Sequence, residues 1–111
     1  MTDEFANGAS RRLITIEFGD CDPARIVYYP NYFRWFDQGT HPLFAAAGFA
    51  LAPLAETRGL TIPLVGAKAD FRGPASWGDT IAVVSRITRW GTRAFDVAHS
   101  VTQAGTGAPV A

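Results

Sequence analysis

Cysteine is nearly missing from this chain. Cys21 is the one cysteine in 111 residues, so no disulfide can form within it, which suits the cytosol. An excess of either charge is missing too. Ten Lys and Arg offset ten Asp and Glu, which argues against nucleic acid or an anionic membrane as the main partner and confines any phosphate site to a local cluster. No apolar run reaches the roughly 18 residues of a membrane span. The polar stretch from Met1 to Ser10 lacks the apolar core of a signal peptide. A soluble, cytoplasmic protein is expected. There is no G-x-S-x-G elbow and no Walker or Rossmann glycine pattern. His41 and His99 are far apart and not at metal-ligand spacing, so no metal site is expected. Cys21 has no histidine near it in sequence and reads as a small packed residue.

What is present is apolar and periodic. Hydrophobic residues make up 48% of the chain, enough for one ordinary core in one domain. Residues 1–10 read as a mobile N-terminal tail and residues 11–111 as the domain. Leu13 to Phe18 alternates, with Ile14, Ile16 and Phe18 on one face, and predicts a strand. Gly19 to Arg25 reads as a loop. Tyr32, Phe36, Leu43 and Ala47 recur at helical spacing, with Trp35 beside that stripe, and predict a helix from Pro30 to Ala47. Pro30 suits its first turn. Gly39 and Pro42 predict a kink or a break into two shorter helices. Gly48 suits a C-terminal stop, and Leu51–Gly59 a second helical piece. From Thr61 the period becomes two. Val65, Ala67, Ala69 and Phe71 share a face, then Ile81, Val83, Ser85 and Ile87, then, after a Gly91-Thr92 hairpin turn, Phe95, Val97, His99 and Val101. The order predicts an α+β domain, an antiparallel sheet packed on one helix.

The densest group of special residues is Gly19-Asp20-Cys21-Asp22-Pro23, just ahead of the helix. Asp before Pro is ordinary turn chemistry, and a loop at an element end is also where catalytic groups sit. From the residues alone both readings of Asp22 stand. The helix start Tyr28-Tyr29-Pro30-Asn31 has no clear side-chain cap unless Asn31 serves. Unpaired N–H groups there are able to bind an oxygen that gains negative charge, so a carboxylate beside them is a plausible nucleophile and oxyanion pair. Asp37 reads as a solvated helix residue or as a carboxylate accepting a hydrogen bond from a substrate hydroxyl. Arg89 and Arg93 flank the hairpin turn and read as solvated surface or a small phosphate clamp. His99, on an apolar strand face, reads as a satisfied core histidine.

Ile16-Glu17-Phe18-Gly19-Asp20-Cys21-Asp22-Pro23-Ala24, Ile26-Val27, Tyr29-Pro30-Asn31-Tyr32 and Arg34-Trp35-Phe36-Asp37 together resemble the 4-hydroxybenzoyl-CoA thioesterase family of hotdog proteins. The likeness runs from about Leu13 to Thr102, more weakly beyond the helix, as read against the family pattern. It implies an antiparallel sheet wrapped around a long central helix. It implies a homodimer, or a dimer of dimers, with active sites at the subunit interface. It implies hydrolysis of an aryl-CoA thioester to acid and CoA without a cofactor. Asp22 would attack the carbonyl or activate water, and the Tyr29 N–H would polarise that carbonyl. Asp37 would meet a ring hydroxyl, Trp35, Phe36 and Trp77 would line the aryl pocket, and Arg89 and Arg93 would approach the CoA nucleotide.

The chain departs from the pattern at three places. Arg25 stands where the family commonly has Gly, Pro42 interrupts a helix that is continuous in the family, and no room for a last strand follows Gly105–Pro109. The domain is therefore expected to be C-terminally short. The rival readings are a hotdog dehydratase, a carrier-protein thioesterase and a non-catalytic acyl-CoA-binding subunit. Tyr28, Tyr29 and Pro30 stand where a dehydratase would place its histidine.

Overall fold

In the computed structural model, strands β1 (Asp3–Ala6), β2 (Ala9–Thr15), β3 (Thr80–Trp90) and β4 (Phe95–Gln103) lie side by side in that order, each antiparallel to the next. Helix α1 (Pro30–Ala46) packs across β2 and β3. The structure describes residues 3–6, 8–46, 56, 59 and 64–111, the first four by their backbone alone. Among the described residues no helix is long and apolar enough to cross a membrane.

Period-two burial explains the sheet. Ile14 opposes Ile81, and Val83 opposes Val101, and all four are at most 3% exposed. Each such side chain contributes roughly 1.5–3 kcal/mol on burial. Tyr32, Trp35, Val27, Ala75 and Val110 complete the same cluster. One row of the sheet is polar: Ser10 opposes Ser85, which opposes His99. That row meets α1 at Gly39. Ser10 Oγ donates to the Gly39 carbonyl at 2.9 Å, and a Cβ on residue 39 would collide with Ser85 Oγ. Glycine is what lets the helix approach the sheet here.

Several expectations from sequence need correction. The N-terminal stretch is no free tail: Asp3–Ala6 pairs with Ala9–Arg12, and Ser10 is 1% exposed. Backbone pairing needs no apolar pattern, and small Ser10 fits close under the helix. The strand expected at Leu13–Phe18 runs earlier, over Ala9–Thr15. Ile16 still bonds sideways, its N–H to the Asp79 carbonyl at 2.8 Å, before the chain tightens into a 3-10 turn at Phe18–Asp20.

Helix α1 does not break at Gly39 or Pro42. An interior proline costs about 3 kcal/mol, less than the summed burial of Tyr32, Trp35, Leu43 and Phe44 on this helix. The hairpin between β3 and β4 has four linking residues, 91–94, with Gly91 N–H bonded to the Ala94 carbonyl at 2.7 Å. Residues 64–71 join no ladder among the described residues. The expected helical piece Leu51–Gly59 and the stop at Gly48 lie outside the described residues, apart from Glu56 and Gly59. After the turn at 104–106 the chain returns along β4. Gln103 N–H bonds to the Ala108 carbonyl and Val110 N–H to the Val101 carbonyl, while the Val110 carbonyl accepts from Arg72 and Gly73. Val110 is 1% exposed, so this segment is part of the core, where the sequence suggested only a Gly- and Pro-rich end.

Candidate active site

Residues 20–28 form a small hairpin between the 3-10 turn and α1. Tyr28 N–H bonds to the Asp20 carbonyl at 2.9 Å, Cys21 bridges Val27, and Asp22 N–H bonds to the Ile26 carbonyl at 3.1 Å. Three residues, Pro23, Ala24 and Arg25, make its tip. Arg25 N–H closes the turn on the Asp22 carbonyl at 2.8 Å, and Asp22 Oδ1 accepts the Ala24 N–H at 2.8 Å. A loop of this length ends on a left-handed residue, normally glycine. Arg25 takes that position with φ 69°, at a cost of about 1–2 kcal/mol for an L-residue.

Two neighbours fix this hairpin to the helix. The Asp20 carboxylate accepts the Glu17 N–H at 2.9 Å and meets Arg34 Nη2 at 3.4 Å. Its carbonyl also accepts from Asn31 Nδ2 at 2.9 Å. Asn31 is therefore a tie between helix and loop, not the helix cap. The first helical donors are already used: Asn31 N–H bonds to the Tyr28 carbonyl and Tyr32 N–H to the Tyr29 carbonyl. Pro30 has none. Among the described residues the Tyr29 N–H has no partner, so it is the donor left at this helix start. Asp22 is half-buried, and among the described residues its Oδ2 has no hydrogen bond.

The remaining candidates are spread out. Trp35 is 3% exposed and packs edge-on against Tyr32 at 5.5 Å. It belongs to the core. Asp37 is exposed, 3.5 Å from His41 Nε2, and lies about 12 Å along the helix axis from Tyr29 at 1.5 Å per residue. Asp37 is therefore set well along α1 from the helix start that the Asp22 hairpin adjoins. Phe36 stacks on His99 at 4.7 Å. Both rings line a groove of about 440 Å³ between residues 68–72 and β4, which holds neither Asp22 nor Tyr29. Arg89 pairs across the hairpin with Asp96 at 2.8 Å, and Arg93 is exposed in the loop between the strands. Trp77 meets Phe18 edge-to-face at 5.5 Å, both rings largely exposed. Ser76 bridges Ile26, which brings this aromatic pair to the rim of the Asp22 loop. Cys21 is half-buried, its thiol 3.8 Å from the Glu17 carbonyl.

Sequence reasoning passed over Asp20 and the tying role of Asn31. The D-x-D spacing was the one signal for Asp20, since residues two apart in an extended segment share a face. It also passed over the bond between Ser85 Oγ and His99 Nδ1 at 2.6 Å. Burial pushes the His99 pKa down to about 4 against the pull of nearby Asp37. The fold thus favours neutral His99, whereas an unfolded chain takes up the proton near 6.5. Its contribution to stability is complete above pH 6.5 and is lost as pH falls toward 4. Chemical denaturation measured across that window should show the loss, and His99→Gln should flatten it. An unchanged slope in the variant would assign the acid sensitivity to other groups.

Residues 16–111 match the thioesterase-like superfamily. The chain is 39% identical over 99 residues to 4-hydroxybenzoyl-CoA thioesterase of Pseudomonas sp. (strain CBS-3), covering 86% of this chain and 69% of that protein. It is 27% identical over 86 residues to 1,4-dihydroxy-2-naphthoyl-CoA hydrolase of Trichodesmium erythraeum (strain IMS101), covering 78% of this chain but only 62% of that relative. A crystal structure of a 4-hydroxybenzoyl CoA thioesterase mutant complexed with 4-hydroxybenzoyl CoA superposes with TM-score 0.83 at 34% identity, over 94% of this chain and 76% of that one. The chain belongs to the thioesterase-like superfamily and is a hotdog-fold thioester hydrolase.

Proposed function

We propose that the protein hydrolyses an aryl-CoA thioester, with Asp22 attacking the carbonyl or activating water and the Tyr29 N–H holding the developing oxyanion. The observation that carries this is the juxtaposition in one small hairpin. A carboxylate with one oxygen fixed by Ala24 and the other open is tied through Asp20 and Asn31 to a helix start whose one remaining donor is unpaired. A fixed carboxylate and a fixed donor are what thioester hydrolysis needs from the protein, since charge develops at two known atoms. The acid and CoA leave as products, and no cofactor takes part in the reading.

The aryl preference rests on relatives that act on hydroxybenzoyl and dihydroxynaphthoyl thioesters and on the exposed rings of Phe18, Trp77, Tyr28 and Tyr29 at the loop. Asp37 stands about two helical turns from the Tyr29 end of α1. The proposal therefore includes a homodimer in which Asp37 of one copy serves Asp22 of the other. Leu64 and Val65, more than 80% exposed, supply apolar surface for such a contact. Arg93 remains the candidate for the CoA phosphates, and Arg89 only if it gives up Asp96.

Free thiol released from a panel of aryl- and alkyl-CoA thioesters tests the activity. Within it, Asp37→Ala is expected to lower kcat/KM for 4-hydroxybenzoyl-CoA by ~10-fold or more relative to benzoyl-CoA, because a site built to bond a hydroxyl discriminates through that bond. Equal losses on the two substrates would remove Asp37 from the aryl pocket.

A further inference from the structure

Arg25 combines features that nothing else in the active-site loop explains. It closes the three-residue loop in a left-handed conformation, φ 69°, that glycine would adopt freely. A residue held in so unfavourable a conformation beside a reacting group is a sign of function for its side chain. That side chain is exposed, and among the described residues no carboxylate pairs with it. Arg34 and Arg89, by contrast, are spent on Asp20 and Asp96. Its place is also close to the chemistry. The bond from Arg25 N–H to the Asp22 carbonyl makes the two residues the ends of one β-turn, whose terminal Cα atoms lie within about 7 Å of each other.

We propose that Arg25 is a specificity-determining residue that pairs with a carboxylate on the acyl group of the thioester, so that monothioesters of dicarboxylic acids are preferred substrates. The proposal rests on the reading of Asp22 as the attacking or activating carboxylate. The CoA phosphates are the other anions on such a substrate, but the pantetheine arm separates them from the reacting carbonyl. In this proposal the cation in the same turn as Asp22 serves the acyl side. The surroundings favour the pair: Ile26, Tyr28, Phe18 and Trp77 present apolar surface around the loop, and reduced access of water strengthens a guanidinium–carboxylate contact. The contact is a matter of binding and orientation, and no bond to Arg25 forms or breaks.

The test compares matched pairs, 4-carboxybenzoyl-CoA with benzoyl-CoA and succinyl-CoA with butyryl-CoA, in the full chain and in Arg25→Gly and Arg25→Lys. The glycine variant relieves the backbone and should melt no lower than the parent. It should lose about tenfold or more in kcat/KM on the carboxylated member of each pair while the neutral member changes by less than about twofold. Lysine should retain part of the preference. The same pattern is expected with pantetheine thioesters, which carry no nucleotide. A loss shared equally by carboxylated and neutral thioesters, or one seen with CoA and absent with pantetheine, would overturn the proposal. Calorimetric binding of the same pairs to Asp22→Asn, with and without Arg25→Gly, reads the preference without turnover. Absent hydrolysis by the parent then counts against the catalytic reading, and absent preference in binding counts against Arg25.

Discussion

Asp22→Asn is expected to reduce kcat on aryl-CoA thioesters by about 10²- to 10⁴-fold, the usual loss when a nucleophile or general base is removed. The substitution is well matched to the site. Asp22 Oδ1 accepts the Ala24 N–H, and an asparagine carbonyl oxygen does the same, so the turn through Pro23 and Ala24 keeps its shape. What disappears is the anion at the open oxygen. Thiol release and a thermal melt on one preparation separate the two effects, with activity falling and the melting temperature holding. Near-parental turnover would sink the mechanism. Cys21→Ala is the control from the same hairpin, because a thiol 3.8 Å from a carbonyl and packed against the core has no part in the proposed step.

Trp35→Ala is expected to cost about 3–5 kcal/mol of folding stability, as for other large core side chains cut to alanine. A domain has only about 5–15 kcal/mol in total, so the urea midpoint should drop sharply and part of the protein should be lost to aggregation. The indole is 3% exposed, edge-on to Tyr32 and within the cluster that joins α1 to the sheet. If Trp35 lined the substrate pocket instead, the same variant would melt normally and show a raised KM, and that outcome would return the residue to the site.

Trp35 shows where sequence stops informing: its pattern placed it beside the helical stripe, and the fold buries it in the core. The buried stripe of α1 is Tyr32, Trp35, Gly39 and Leu43, with Phe36 turned toward His99. Gly39 hides this stripe, because a residue with no side chain reads as a helix breaker when it is in fact the point of closest contact. The alternation of Ile81, Val83 and Ser85 and of Val97, His99 and Val101 was legible, since each strand carries its own period. The pairing of Asp3–Ala6 was not. Those residues have no apolar rhythm, and their place follows from β2, which is fixed in turn by its register on a strand some 70 residues away. In the site, the spacing from Glu17 to Asp37 pointed to the loop and the helix start. Which donors there remain unpaired depends on Asn31 and on two backbone bonds that no spacing encodes. The Arg25 departure was visible as a change of residue. Its left-handed φ is what turns that change into a chemical question.

The Val110 contacts carry a consequence for how the molecule opens. This residue bonds to Val101 on one side and to Arg72 and Gly73 on the other, with its own side chain in the core. The segments around residues 72, 101 and 110 therefore share one fastening and are expected to open together. Chain ends commonly fray alone and tolerate trimming. Here a cut after Ala108 would withdraw a core side chain and release the backbone at Arg72 and Val101 together, so protease resistance near this end measures the integrity of the sheet.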